Sequence, residues 1–325
     1  MSTLTLADIP LESSVPAEHL RRVAAAVRVH FTWWGVHKTL TAQQKEEVGL
    51  ACRADGKLLT AGKKLIDTRH EAFRRLTTLR SRVVQYWKGL TLPYPEPGLR
   101  LLRQSDIEAF VHTLEGFRDE LVEAEQALNA VFAQVQADAR ERLGKLYHAG
   151  DYPDEVRGRF AVDWDFPAVE PPSYLLRLNP ELYRQEQQRV AERFAQAVEL
   201  AEQSFVGEFA KLVQRLAERV QDDSDGEHRV FRDSAVENLH GFFDRFRKLS
   251  VRSSGDLDRL VDQAQAMVRG VTPTALRSDD GLRRQIAQDL AQVQASLETL
   301  LVERPRRRIV RMTATDEGGG HAAGD

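Results

Sequence analysis

SDIEAFVHTLEGFRDELVEAEQALNAVFAQV, residues 105–135, decides the fold. Its apolar residues fall at Ile107, Phe110, Leu114, Phe117, Leu121, Ala124, Leu128, Val131 and Val135. The spacing alternates three and four, where a strand would need two, so the stretch reads as a helical seam held over four heptads. Ser105-Asp106-Ile107-Glu108 has the form of a capping box, with the serine hydroxyl and Glu108 each satisfying a backbone N–H of the first turn. The pattern carries the helix to about Tyr147, a rod of roughly 60 Å at 1.5 Å per residue.

A second long helix follows. Asn179-Pro180-Glu181 supplies an N-cap, a first-turn proline and an early acid. Val190, Phe194, Ala197, Ala201, Phe205, Leu212, Leu216 and Val220 form its stripe, and the acidic run after Gln221 ends it. Two long helices with a compact link predict an antiparallel, coiled-coil-like hairpin over 105–221. Its seam closes either within one chain or between two copies of a homo-oligomer.

The connector 148–178 breaks the helical pattern. In RFAVDWDF (159–166) Phe160, Val162, Trp164 and Phe166 alternate, with Asp163 and Asp165 on the other side. In GLTLPYP (89–95) Leu90, Leu92 and Tyr94 alternate, and Tyr174–Leu178 is a third candidate strand. Period two predicts a small β subdomain at the hairpin tip, with GLTLPYP paired to RFAVDWDF. Prolines at positions 93, 95, 97, 167, 171 and 172 would end these strands and blunt their edges. The alternative is an irregular Pro-rich arm packed on the helices.

The remaining chain also reads as mainly α. Residues 1–16 are expected to be flexible, and 17–104 to hold the N-terminal helices. The first covers 17–31 and is interrupted near Gly35, a second runs from a Thr41 cap to about Ala54, and Asp55-Gly56 is a turn. A basic helix spans about Asp67 to Lys88. A C-terminal helical bundle occupies 228–303, in helices at about 229–250, 255–269 and 279–303. Ser254 and Ser278 are caps and Gly270 is a stop. Residues 304–325 are basic, then disordered.

Composition narrows the function. A formal net charge of −3 and a pI near 6.3 exclude a global polycation, so any nucleic-acid contact must be local. No run of about 18 apolar residues predicts a membrane span, and the N-terminus lacks the basic region of a signal peptide. The single cysteine, Cys52, excludes an internal disulfide and fits a reducing, cytoplasmic compartment. It reads as a small core residue rather than a nucleophile.

Motifs for chemistry fail on spacing. Gly56 and Gly62-Lys63-Lys64 suggest a phosphate loop, but five residues separate the glycines and Lys64 stands where a Ser or Thr must hold magnesium. The histidines are scattered and no cysteine pair exists, so no zinc site is predicted. Asp222, Asp223 and Asp225 lack the distal glutamate of a calcium loop. No catalytic residue, cofactor or metal ligand is assigned.

Two basic features and one aromatic one remain as interaction sites. Residues 63–88 carry eight Lys or Arg against two acids, a local balance of +6. Ala72, Leu76, Leu79, Val83 and Trp87 form an apolar face, with Arg74, Arg75, Arg82 and Lys88 opposite, while Arg69 and Arg80 fall inside the apolar arc. Either these cations snorkel or pair with acids such as Glu115 and Asp119, or Lys63, Lys64, Arg74, Arg75 and Arg82 form an anion-docking face. The connector 148–173, with a balance of −4, is an alternative internal partner. The tail cluster Arg304, Arg306, Arg307, Arg308 and Arg311 is the second basic site, with weak and salt-sensitive binding expected. Trp164 and Phe166 are either buried or offered outward as docking residues.

LLTAGKKLIDTRHEAFRRLTTLRSRVVQYWKGLTLPYPEPG (58–98), the long helix from Ser105, RFAVDWDF and RDSAVENLHGFFDRFRKLS (232–250) resemble a family of uncharacterised bacterial and phage helical proteins. The resemblance is one of layout over about residues 50–300, outside Trp33-Trp34 and the arginine tail. That family is encoded beside MoxR-type AAA+ ATPases and von Willebrand A proteins. The resemblance implies a non-enzymatic scaffold or adaptor with such a protein partner and supplies no catalytic residue. The alternative is a nucleic-acid-binding accessory protein using the helix 63–88 or the arginine tail.

Overall fold

The computed structural model describes residues 14–221, 234–271, 275 and 279–302. The chain divides into two units: 1–204 with 241–255, and 205–240 with 256–325.

The first unit opens with helix α1 (Ser14–Val23), which gives way to strand β1 (Ala24–Trp33). The expected helix over 17–31 is therefore wrong in its second half. Val27, Val29, Phe31 and Trp33 alternate, and β-branched and aromatic side chains favour a pleated surface once partner strands are present. Next come β2 (His37–Thr39), helix α2 (Ala42–Cys52), β3 (Gly62–Lys64), helix α3 (Glu71–Leu90), β4 (Thr91–Pro93) and β5 (Leu99–Arg103). Thr41 caps α2 in a reciprocal capping box with Gln44. Cys52 is exposed, so it is not the core residue the sequence suggested.

Helix α4 (Ile107–Leu143) follows. The Ser105 capping box does not form: Gln104–Asp106 is a short 3-10 turn, and Asp106 is the N-cap without a side-chain cap bond. Asp106 pairs instead with Lys248 at 3.1 Å. The helix stops at Leu143, and Gly144 takes a positive φ of 50°. The seam is buried as read, except that Ile107 is only partly buried, and Val131 is 38% exposed with Phe132 buried in its place. That one-residue drift follows from 3.6 rather than 3.5 residues per turn. Strand β6 (Phe160–Asp165), helix α5 (Tyr174–Leu178) and the long helix α6 (Pro180–Gln221) complete the run. Tyr174–Leu178 is thus helical, not a third strand.

The main sheet has the order β4-β5-β1-β6, all antiparallel, and β2 pairs with β3 separately. RFAVDWDF is an edge strand against β1, pairing Trp33 with Phe160 and Val29 with Trp164, and does not pair with GLTLPYP. The latter pairs with β5, a strand the sequence reading missed; Leu90 ends α3. One face of the sheet carries Val27, Val29, Leu102, Phe160 and Val162 into a core shared with α3 and α4. The α4 seam therefore closes on α3 and β6 within one chain. The opposite face is divided. Leu92, Leu99, Leu101 and Ala26 are buried there, whereas Asp163 and Asp165 face outward as their alternation predicts. Tyr94 beyond β4 meets Phe194 of α6 edge to face at 5.7 Å.

In the second unit, the α6 segment from 205 buries Phe205, Val206, Phe209, Val213, Leu216 and Ala217. Phe209 and Val213 replace the expected Leu212. Helices α7 (Ser234–Leu249), α8 (Gly255–Val268) and α9 (Asp280–Val302) complete the described elements. Within this unit Val236 and Leu239 of α7, Leu257, Val261 and Ala264 of α8, and Ile286, Leu290, Val293 and Leu297 of α9 form buried stripes at helical spacing, the pattern of a bundle. Gly270 at φ 78° provides the expected stop after α8.

Candidate interaction surfaces

The basic segment does not form one cationic face. Lys63 lies on β3 and is 6% exposed. Its Nζ donates to the Leu146 carbonyl at 2.5 Å and pairs with Asp151 at 2.6 Å, while Lys38 reaches the same carboxylate at 2.5 Å. Burial raises the Asp151 pKa, but hydrogen bonds from Lys38 and Lys63 outweigh it and hold the carboxyl below its usual value. The acidic connector is thus an internal partner of Lys63. Arg75 pairs with Glu123 at 3.2 Å and Arg82 with Glu120 at 2.6 Å, both acids of α4 just past the Glu115 and Asp119 expected. Arg80 lies over the rings of Phe31 and Trp33 at 5.3 and 5.0 Å, which explains a cation inside the apolar arc. Lys64, Arg74 and Lys88 make no ion pair among the described residues.

The aromatic site splits in two. Trp164 is half-buried against the core, with the Arg118 guanidinium 4.3 Å from its ring centroid. Arg118 also pairs with Asp163 at 3.2 Å, so Trp164 is clamped rather than free. Phe166, just past the strand, is exposed. It begins an arm that continues through the prolines to α5 and the first turn of α6. Along this arm Tyr174, Leu176, Leu178 and Leu182 are also exposed, Leu178 by 75%. One long-range contact ties the arm to α1 and one local bond caps the helix that ends it. Arg21 donates from Nε and Nη2 to Glu170 at 2.6 and 2.5 Å, and Asn179 accepts from the Leu182 amide at 3.1 Å as the cap of α6. Sequence reasoning singled out Phe166 but assigned Tyr174–Leu178 to a strand. The signal available was the paired proline at 171–172 followed by a capping Asn-Pro, which favours a short helical turn over an extended partner.

Arg306, Arg307 and Arg308, with Asp222, Asp223 and Asp225, lie outside the described residues. Among the described residues no group of three or more His, Cys, Asp or Glu side chains is placed to hold a metal ion, and no helix is long and apolar enough to cross a membrane. Comparison with protein-family models, curated proteins and solved structures finds no match.

Proposed function

We propose that this chain is a non-enzymatic adaptor that binds another protein through the arm 166–182. The observation that carries the reading is the exposure of Phe166, Tyr174, Leu176, Leu178 and Leu182 along one anchored stretch. Single exposed apolar residues are ordinary, but a series of them marks a surface to be covered. A five-residue helix has no stability of its own, so the shape of α5 comes from its flanking anchors. Such pre-ordering lowers the entropy lost on docking. The arm lies in the connection between the two long helices α4 and α6. The family resemblance makes a MoxR-type AAA+ ATPase or a von Willebrand A protein the first partner to try, in a cytoplasmic setting.

The test mixes purified protein with each of these two partners from the same genome and measures complex mass by light scattering. Wild type is expected to form a complex that the double variant Leu176→Ser, Leu178→Ser loses. The variant's own stability should stay within about 0.5 kcal/mol, as for exposed positions. A complex indifferent to the substitutions removes the arm from the role, and no complex with either protein removes that partner class. The nucleic-acid alternative loses support from the basic helix, whose Arg75 and Arg82 are engaged by α4.

A further inference from the structure

At the N-terminal end of α3 the molecule has a cleft of about 830 Å³. One wall is the end of β3 at Lys64 with the loop 65–70 that leads to α3, and the other is the last turns of α4. Leu65, Ile66, Val135 and Ala139 give it an apolar floor. Lys64, Arg69 and Arg142 stand around it.

Asp67 joins the two arginines. Its Oδ1 accepts from the Arg69 amide at 2.9 Å and from Arg69 Nε at 3.2 Å. Its Oδ2 accepts from Arg69 Nη2 at 3.2 Å and from Arg142 Nη1 at 2.7 Å. The side-chain bonds from Arg69, then Arg142, hold the Asp67 carboxyl well below the usual carboxylate range. Two solvated guanidiniums from different elements are thereby fixed side by side, where their mutual repulsion would otherwise separate them. Neither is used up. Arg69 Nη1 and Arg142 Nε and Nη2 make no hydrogen bond among the described residues, and Lys64 makes no ion pair. The cleft's second acid, Asp138, already accepts from Gln134 at 2.7 Å.

We infer that this cleft binds a small phosphorylated molecule, with its phosphate between Arg69, Arg142 and Lys64 and its apolar body on the floor of Leu65, Ile66 and Val135. Two planar forks and a point charge lining one cleft suit a tetrahedral polyanion. The planar carboxylate that one fork alone would satisfy is already supplied by Asp67. Helix α3 begins directly after His70, so its positive end adds to the field. A concave site with an apolar floor fits a small ligand, whereas a nucleic-acid backbone needs a continuous cationic track. The inference is independent of the adaptor reading, since the cleft and the arm share no residue.

Calorimetry on the full chain at low salt tests it, with ADP, inorganic pyrophosphate and adenosine as probes. ADP is expected to bind at one site and adenosine to be silent. Arg142→Gln and Lys64→Gln should each weaken ADP about tenfold or more, the loss of one charge-assisted contact. Pyrophosphate should bind more weakly than ADP; equal binding would remove the apolar floor from the proposal. Absence of binding by both ADP and pyrophosphate at millimolar concentration overturns the inference, as does binding that both substitutions leave unchanged. Lys64 makes no internal ion pair, so its variant keeps the test valid if Arg142→Gln lowers the melting temperature.

Discussion

Glu125 accepts hydrogen bonds from three consecutive amides, those of Gly158, Arg159 and Phe160, at 3.0, 2.9 and 2.9 Å. The side chain is buried on α4, and its carboxylate sets where β6 begins. Gly158 adopts φ 70°, which favours glycine at this turn. Glu125→Ala takes this acceptor from the Gly158 and Phe160 amides, while Arg159 N–H keeps the Val156 carbonyl at 3.1 Å, and should cost roughly 3 kcal/mol in chemical denaturation. Glu125→Gln retains one acceptor oxygen and should fall between; equal stability of Ala and wild type would show that water replaces the carboxylate. Asp151 is the second such residue. It neutralises buried Lys63, so Asp151→Asn should cost about 3 kcal/mol at pH 7, the usual result of breaking a buried pair from one side. The sign with pH follows from a carboxyl held below its ordinary value. Its contribution is full above the unfolded pKa of about 4 and is lost as pH falls through the lower folded value. The gap between wild type and Asp151→Asn should therefore be constant from pH 7 to 5 and close in strong acid. A gap unchanged by acid would mean that the cost of the substitution does not come from the ionised pair.

At the scale of elements, local pattern was legible and partnership was not. The α4 seam and the alternation of β6 could be read because each repeats many times over a few turns or residues. β1 was misread because AEHLRRVAAAVRVHF is rich in alanine, a strong helix former, through its middle. The alternation that decides the strand, Val27, Val29, Phe31 and Trp33, begins only after that run and continues into the stretch taken as an interruption. Tertiary pairing overrides the propensity: β1 is hydrogen-bonded on both sides, to β5 and β6. Losing β1 cost the whole topology, since it is the strand that separates β5 from β6. With it absent, the two visible period-two segments had only each other as partners. The candidate sites show the same division. Phe166 was readable as an aromatic next to prolines. The Asp67–Arg142 contact was not, because it joins positions 75 residues apart through a core whose sheet order was unknown.

For the whole molecule the question is where positive charge remains available. The net charge of −3 gives no long-range attraction to nucleic acid. Within the first unit two cations of the basic helix, Arg75 and Arg82, are paired by α4, and Lys63 by the connector. Any binding to a nucleic acid should then come from the tail arginines. Five such charges predict an affinity that falls several hundred-fold between 50 and 200 mM salt. In an electrophoretic shift assay on the full chain, the triple variant Arg74→Gln, Arg75→Gln, Arg82→Gln should leave any shift at 50 mM salt unchanged. The triple variant Arg306→Gln, Arg307→Gln, Arg308→Gln should abolish it, and no shift should survive at 200 mM. A shift that follows the helix substitutions instead would mean that the ion pairs to Glu120 and Glu123 open to admit phosphate. Opening would be cheap, because exposed pairs contribute about 1 kcal/mol or less. That outcome would return the basic helix to the position of a docking face and set the nucleic-acid reading above the adaptor.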